Sequence, residues 1–250
     1  MRPALSEHYS YEVYADPQMA ERFDALRFGG PIGRLIADTQ EQQIAEFLAP
    51  LAGRQVLDVG TGTGRAAIAL ARRGAAVTGV DASREMLDVA ERRAREADVR
   101  VAFVRGDVHA LDFADRSFDA VVCLRVLMHT PDWRRSVGEL CRVARRQVVF
   151  DYPARWSVAA LQALGRTVTH ALNRRVEAYR VFSSRQVAAA LAAHGFRIAA
   201  EHRQFVLPIA LHKRIGSAAW TTRVEGAMSH AGVTRRFGSP VTIVAERCAS

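Results

Sequence analysis

The strongest constraint in the chain lies between residues 55 and 73, where QVLDVGTGTGRAAIALARR runs from an apolar stretch through three alternating glycines into a helical pattern. A strand that ends in glycines and turns straight into a helix needs residues without a Cβ, both where the chain reverses and where a ligand approaches the backbone. The amides at the start of that helix are then available to the ligand. Glycine spacing alone does not choose the ligand, because Gly62, Gly64 and Ala67 also satisfy the G-x-G-x-x-A pattern of dinucleotide-binding turns.

The same rhythm continues. Gly74 stops the helix, AAVTGV reads as a second strand ending at Asp81, and MLDVAERRAREA is a helix whose start is signalled by Ser83. VAFVR and FDAVVCL are strands three and four, DWRRSVGELCRVA a helix, and QVVFDY strand five. Apolar strands that are continuous rather than alternating, separated by helices, predict an α/β fold: a Rossmann-like, mostly parallel sheet of seven strands with helices on both faces. SSRQVAAALAAHGF is a further helix, capped by Ser183 or Ser184 and closed by Gly195, and FRIAAEHRQFVLP and SPVTIVAER supply the last two strands. Residues 1–50 read as a helical N-terminal cap, with Gly29, Gly30, Pro31 and Gly33 interrupting its pattern. The main domain then runs from 51 to 250 with a helical insertion at about 154–180, and the order of residues 208–238 is not set by pattern.

At 250 residues, 49% of them apolar, the chain can bury one sizeable core. Charged residues interrupt every apolar stretch before the ~18 to 20 residues needed to span a bilayer, and MRPALSEHYSYEVYADP lacks the apolar core of a secretory signal. A cytoplasmic location is expected, with peripheral contact to a membrane surface left open. The net charge of +9 would suit an anionic partner, but Lys213 is the only lysine and the arginines are dispersed. Their densest region, Arg155, Arg166, Arg174, Arg175, Arg180 and Arg185, reads as a solvated helical face. Cys123, Cys141 and Cys248 stand far apart, with no histidine at metal-ligand spacing. They read as free thiols, Cys123 as a buried one, and no metal is expected.

Three carboxylates sort the cofactors. Asp58 stands at the end of the first strand, where it suits the ammonium of an amino-acid-bearing cofactor and opposes a pyrophosphate. Asp81, ending strand two, is placed to accept both ribose hydroxyls, which a nicotinamide dinucleotide would also want. Asp107, after strand three, can accept from the exocyclic amine of adenine while the backbone of Val108 reads the ring edge.

VLDVGTGTGR, GVDASREML, FVRGDVHALDFADRSFDAVVC and RVLMHTPD, covering roughly residues 54–150, resemble the successive motifs of class I S-adenosylmethionine-dependent methyltransferases. Ubiquinone/menaquinone-type small-molecule methyltransferases are the nearest kind, and EVYADPQMAERFDALRFGG resembles their helical cap. The resemblance implies that Asp58, Gly60, Gly62 and Gly64 line the methionine part of the cofactor, with Thr61, Arg65 and Ala82 also in the binding set. It gives Asp81 and Met86 to the ribose and adenine, Asp107 and Val108 to the adenine, and Leu124 to the floor of the site, although Met86 equally suits a core position. It also implies an antiparallel last strand, S-adenosyl-L-methionine as methyl donor and S-adenosyl-L-homocysteine (SAH) as product.

Methyl transfer to a small or lipid-like acceptor, at oxygen or carbon, is the function so implied. Nucleic acid as acceptor is disfavoured, because the place of an Asn- or Asp-Pro-Pro-aromatic motif reads Cys123-Leu124-Arg125 and a chain with one lysine cannot build a Lys-Asp-Lys-Glu tetrad. A non-catalytic cofactor-binding protein and a nicotinamide-dependent oxidoreductase are the rival classes. His129 is the candidate catalytic residue, a general base for an acceptor that must lose a proton, against the alternative of a histidine packed beside the next helix. Tyr9, Tyr11, Tyr14 and Phe28 are candidates for an aromatic lid, with Arg27 and Arg34 facing the site. Trp156, Leu161, Leu164, Phe205, Leu207 and Ile209 are candidates for the acceptor pocket. The oligomeric state is not written in the sequence.

Overall fold

The computed structural model describes residues 16–157 and 180–249. Helices α1 (Pro17–Phe28) and α2 (Gly30–Leu48) precede β1 (Gln55–Val59), α3 (Arg65–Ala71), β2 (Ala76–Asp81), α4 (Arg84–Glu96), β3 (Val101–Arg105) and β4 (Phe118–Cys123). A 3₁₀ turn at Leu127–His129, α5 (Trp133–Val143), β5 (Ala144–Tyr152) and α6 (Ser184–Ala192) follow. The chain then forms β6 (Phe196–Phe205), three helices, α7 (Ile209–Ile215), α8 (Ala218–His230) and α9 (Val233–Phe237), and β7 (Ser239–Arg247).

The seven strands lie in the order β3-β2-β1-β4-β5-β7-β6. The strands β1 to β5 pair in parallel, and β7 runs antiparallel to both of its neighbours. Because successive side chains point to opposite faces, each central strand feeds two cores. Leu57, Val59, Val121, Cys123, Val148 and Phe150 join Val137 and Leu140 of α5 and Val187 and Leu191 of α6 on one face. Val56, Ala120, Val122 and Val149 join Ile44 and Leu48 of α2 and Ala67 and Leu70 of α3 on the other. The helical preface therefore shares the main core through α2. Edge strand β3 departs from the expected continuous burial: Val104 is 44% exposed, since β3 has a neighbour on one side only.

Side-chain caps set several helix starts. Ser83 accepts from the Met86 amide, Asp132 from Arg135, and Ser183 forms a reciprocal capping box with Gln186. Of the segment expected as a helical insertion, Ala154 bridges to Phe182, while residues 158–179 lie outside the described ones, as do Tyr9, Tyr11, Tyr14, Leu161 and Leu164. No described helix is long and apolar enough to cross a membrane.

Candidate active site

A cleft opens at the carboxyl ends of β1, β2 and β4, where ligands of open α/β sheets bind, and it is walled by Phe23, Asp24 and Phe28 of α1. The glycine loop forms one wall. Gly60 (φ +70°) lies so close to Val126 that a Cβ would sit 2.2 Å from Cγ2, so only glycine fits between the loop and the segment after β4. Gly64 (φ +79°) serves packing instead, since a Cβ there would meet Ala90 of α4 at 2.9 Å. It lets α3 start tight against α4 and does not itself line the cleft.

Asp58 is buried at the cleft and accepts from the Thr61 hydroxyl at 2.7 Å. Burial pushes its carboxyl up to about 6, against the pull of that hydrogen bond and of the Arg65 charge. Asp81 accepts from the Gly62 amide at 2.8 Å and the Ser83 amide at 3.0 Å, one on each oxygen. Those two bonds clamp the carboxylate between the ends of β1 and β2, and a carboxylate has further lone pairs for hydroxyl donors. Burial raises this group too, while the two amides oppose the rise.

Ala82, Met86, Val108, Leu124 and His129 also line the cleft. Met86 packs at the same time with Ala20 and Val89, so the core and ligand readings of this residue are compatible. Asp107 is not among the lining residues: its Oδ1 accepts the His109 amide at 2.9 Å and faces the His109 Nδ1 at 2.8 Å. His109 lines the cleft instead, and its buried Nε2 has no hydrogen-bond partner among the described residues. Sequence reasoning missed His109; its spacing of two residues from Asp107, which lets the shared Asx turn hold both its amide and its ring, was the available signal.

Arg65 is held rather than free. Its guanidinium meets Glu41 at 2.9 Å, bonds to Gln40, and lies 4.4 Å over the ring of Phe28. Gln40 in turn donates to buried Asp151 of β5 at 3.3 Å, and Asp151 also accepts the Arg125 amide. A chain of contacts thus runs from the cap through α2 to the end of β5. Arg27 and Arg34 do not line the cleft, contrary to expectation; Arg27 stacks on Phe23 and Arg34 is exposed on α2. Arg65 and Arg125 are the arginines that do.

Phe205, Leu207 and Ile209 are also absent from the cleft. The reason is topological, since β6 lies two strands beyond β5, and Phe205 and Ile209 are engaged in seating Ile32, Ile36 and Phe28 of the cap. Trp156 is 75% exposed and does not line the cleft. Cys123 is buried with its thiol pushed well up by desolvation, which removes it as a nucleophile. No three His, Cys, Asp or Glu side chains gather into a metal-ligating group among the described residues.

Residues 56–147 match the family described as methyltransferase domain. The chain is 44% identical over 103 residues to a ubiquinone biosynthesis O-methyltransferase from Alkalilimnicola ehrlichii, covering 41% of this chain and 42% of that protein. It is 35% identical over 133 residues to a demethylmenaquinone methyltransferase from Thermotoga maritima, covering 52% and 55%. The match thus spans about half the length of these relatives. The fold is shared with magnesium protoporphyrin IX methyltransferase from Synechocystis PCC 6803 with bound SAH, at TM-score 0.68 and 18% identity, over 96% of this chain and 98% of that one. Over residues 56–147, then, the chain is similar to methyltransferase domains, and over nearly its whole length it shares the fold of a methyltransferase solved with SAH.

Proposed function

We propose that the chain transfers the methyl group of S-adenosylmethionine to the oxygen or carbon of a small or lipid-like acceptor. The observation that carries this reading is the pairing, in one cleft, of an amide-clamped Asp81 and a buried Asp58 at the glycine loop with an apolar far wall of Leu124 and Pro131 that includes His129. The relatives that act on quinone precursors and the porphyrin enzyme give the acceptor class its precedent.

The residues present fit the cofactor. Asp58 would hold the ammonium, Asp81 the ribose hydroxyls, and the backbone at Gly60 and Gly62, which lack Cβ atoms, the methionine chain. With the His109 Nδ1–H donated to Asp107, the Nε2 lone pair would accept from the adenine amine, and Val108 would read the ring edge beside it. Asp107 then acts on adenine through the ring it orients. Bound S-adenosylmethionine supplies an electrophilic methyl group, so the chain's own work is to align the acceptor and keep water out. Phe23 and Phe28 of the cap close the cleft from above, and Arg65 stacked on Phe28 fixes that closure to the glycine loop.

His129, buried at the far wall, would take the proton from a hydroxyl or an acidic carbon, since a neutral imidazole has the right basicity near pH 7. His129→Ala should keep SAH affinity within a few-fold while turnover falls ~10²- to 10⁴-fold, with partial recovery at higher pH for an acceptor that ionises by itself. The measurement is transfer from methyl-labelled cofactor into fractionated cell extract. Label in an organic-soluble or small-molecule fraction supports the reading; label in nucleic acid, or turnover per folded His129→Ala molecule near wild type, sinks the acceptor class or the base.

A further inference from the structure

The ionic side chains that line the cleft are balanced by partners, with one exception. Asp24 is paired with Arg93 and bonded by the Thr63 hydroxyl at 2.8 Å. Asp58 and Asp81 have the donors already described, and Arg65 has Glu41, Gln40 and the ring of Phe28. Arg125 also lines the cleft and is half-buried, yet its guanidinium makes no hydrogen bond and no ion pair among the described residues. A guanidinium has five donors, and placing it partly out of water without an acceptor is costly.

The backbone singles out the same residue. Arg125 has φ +58°, in the left-handed region that non-glycine residues seldom adopt. Asp151, fully buried at the end of β5, holds it there by accepting the Arg125 amide on Oδ1, while Gln40 occupies Oδ2. The hydrogen bonds of this carboxylate go to the backbone and to Gln40, and it feels the Arg125 charge without an ion pair at contact distance. A strained position fixed by a buried carboxylate, and ending in a cleft-lining guanidinium that makes no hydrogen bond among the described residues, is a feature that stability alone does not require.

We infer that Arg125 is a specificity residue of the acceptor site and that it selects an acceptor carrying an anionic group, a carboxylate or a phosphate, beside its apolar body. This rests on the methyl-transfer reading and narrows its acceptor class. The unpaired guanidinium would meet the anion with charge-assisted, in-plane hydrogen bonds, which neutral analogues cannot form.

The test uses the purified full chain, methyl-labelled S-adenosylmethionine, and a methanol extract of the source cells freed of protein and nucleic acid. The extract is split at neutral pH on a quaternary-ammonium resin into a neutral and an anionic fraction, each supplied as acceptor. Wild type should label the anionic fraction, and Arg125→Gln should lower kcat/KM for that fraction roughly 10- to 100-fold, the size expected for losing a charged hydrogen bond. Arg125→Lys should restore part of the loss, and SAH should raise the melting temperature of Arg125→Gln as it does wild type, showing an intact cofactor half. Alkaline phosphatase treatment of the anionic fraction distinguishes the sources: loss of acceptor marks a phosphate, survival a carboxylate. Label confined to the neutral fraction, or an Arg125→Gln variant as active as wild type on the anionic one, overturns the inference and leaves methyl transfer standing. Label in neither fraction overturns the small or lipid-like acceptor of the proposed function and the inference with it.

Discussion

Asp58 holds its proton to a higher pH in the folded protein than in the unfolded chain, because burial raises it from 3.8 to about 6. A raised carboxyl contributes stability that is fully present below the unfolded value and lost as pH rises through the folded one, so this group favours the free protein in acid and ceases to do so above about 6. An ammonium bound at Asp58 reverses the preference, since it needs the anion. SAH affinity should therefore rise with pH, by up to about tenfold per unit below the Asp58 value, and level off above it. Asp58→Asn should bind more weakly near neutrality and show a flat profile. Calorimetric titrations between about pH 5 and pH 7 check this, and an equal slope in both proteins would remove Asp58 from the ammonium site. The place of Asp58, Asp81, Gly60 and Gly62 at the cleft was legible in the sequence because local pattern reveals the end of a strand and the turn after it, whereas Gly64 stands behind the loop. Arg125 was not legible, because what marks it is Asp151, which lies 26 residues away and is brought beneath it only by the pairing of β4 with β5.

At the scale of elements, VAFVR and SPVTIVAER match β3 and β7 at both ends, whereas β5 begins at Ala144, within the segment read as helix, and β6 ends at Phe205, three residues before the expected end. Each of the two matched strands is a short apolar run with a turn on either side. The helices between β6 and β7 were not readable. Helix α8 buries only Thr221 and Glu225, so it lacks the apolar stripe by which an amphipathic helix announces itself. What joins the cap to the sheet was equally hidden, because Gln40 is a polar residue buried at a helix–strand contact. Gln40 donates to Asp151 and accepts from Arg65, so a single side chain ties α2 to β5 and to the start of α3. Gln40→Leu preserves volume and removes both bonds, leaving a buried carboxylate one donor short. Stability should fall by about 1 to 3 kcal/mol, and SAH affinity should fall as well, since Arg65 loses one of the contacts that hold it over Phe28. Denaturant unfolding and calorimetry measure the two effects. A loss of stability with unchanged affinity would confine Gln40 to a structural role.

Across the whole molecule the sheet divides its labour. The parallel half, β3 to β4, presents the cleft, while β7 and β6 and the helices between them form a flank that borders it at Phe28, which shares a cluster with Phe205 and Ile209. That flank has its own buried polar centre. Glu225 accepts the amides of Val206 and Leu207 at 2.8 and 3.0 Å and meets His212 Nε2 at 2.8 Å, while His212 Nδ1 faces the Thr221 hydroxyl at 3.0 Å and the ring sits between Phe205 and Trp220. Removing the carboxylate leaves two half-buried backbone donors and a buried imidazole without their acceptor, a loss of about 3 kcal/mol. Glu225→Ala should therefore lower the unfolding free energy by that amount. Because no member of this centre lines the cleft, the folded fraction of Glu225→Ala should bind SAH within about threefold of wild type, a difference of less than 1 kcal/mol. Unfolding in denaturant and titration with SAH at a temperature where the variant is folded separate the two quantities. A fall in affinity as large as the fall in stability would mean that the flank, acting through Phe28, sets the shape of the cofactor site and is not merely its support.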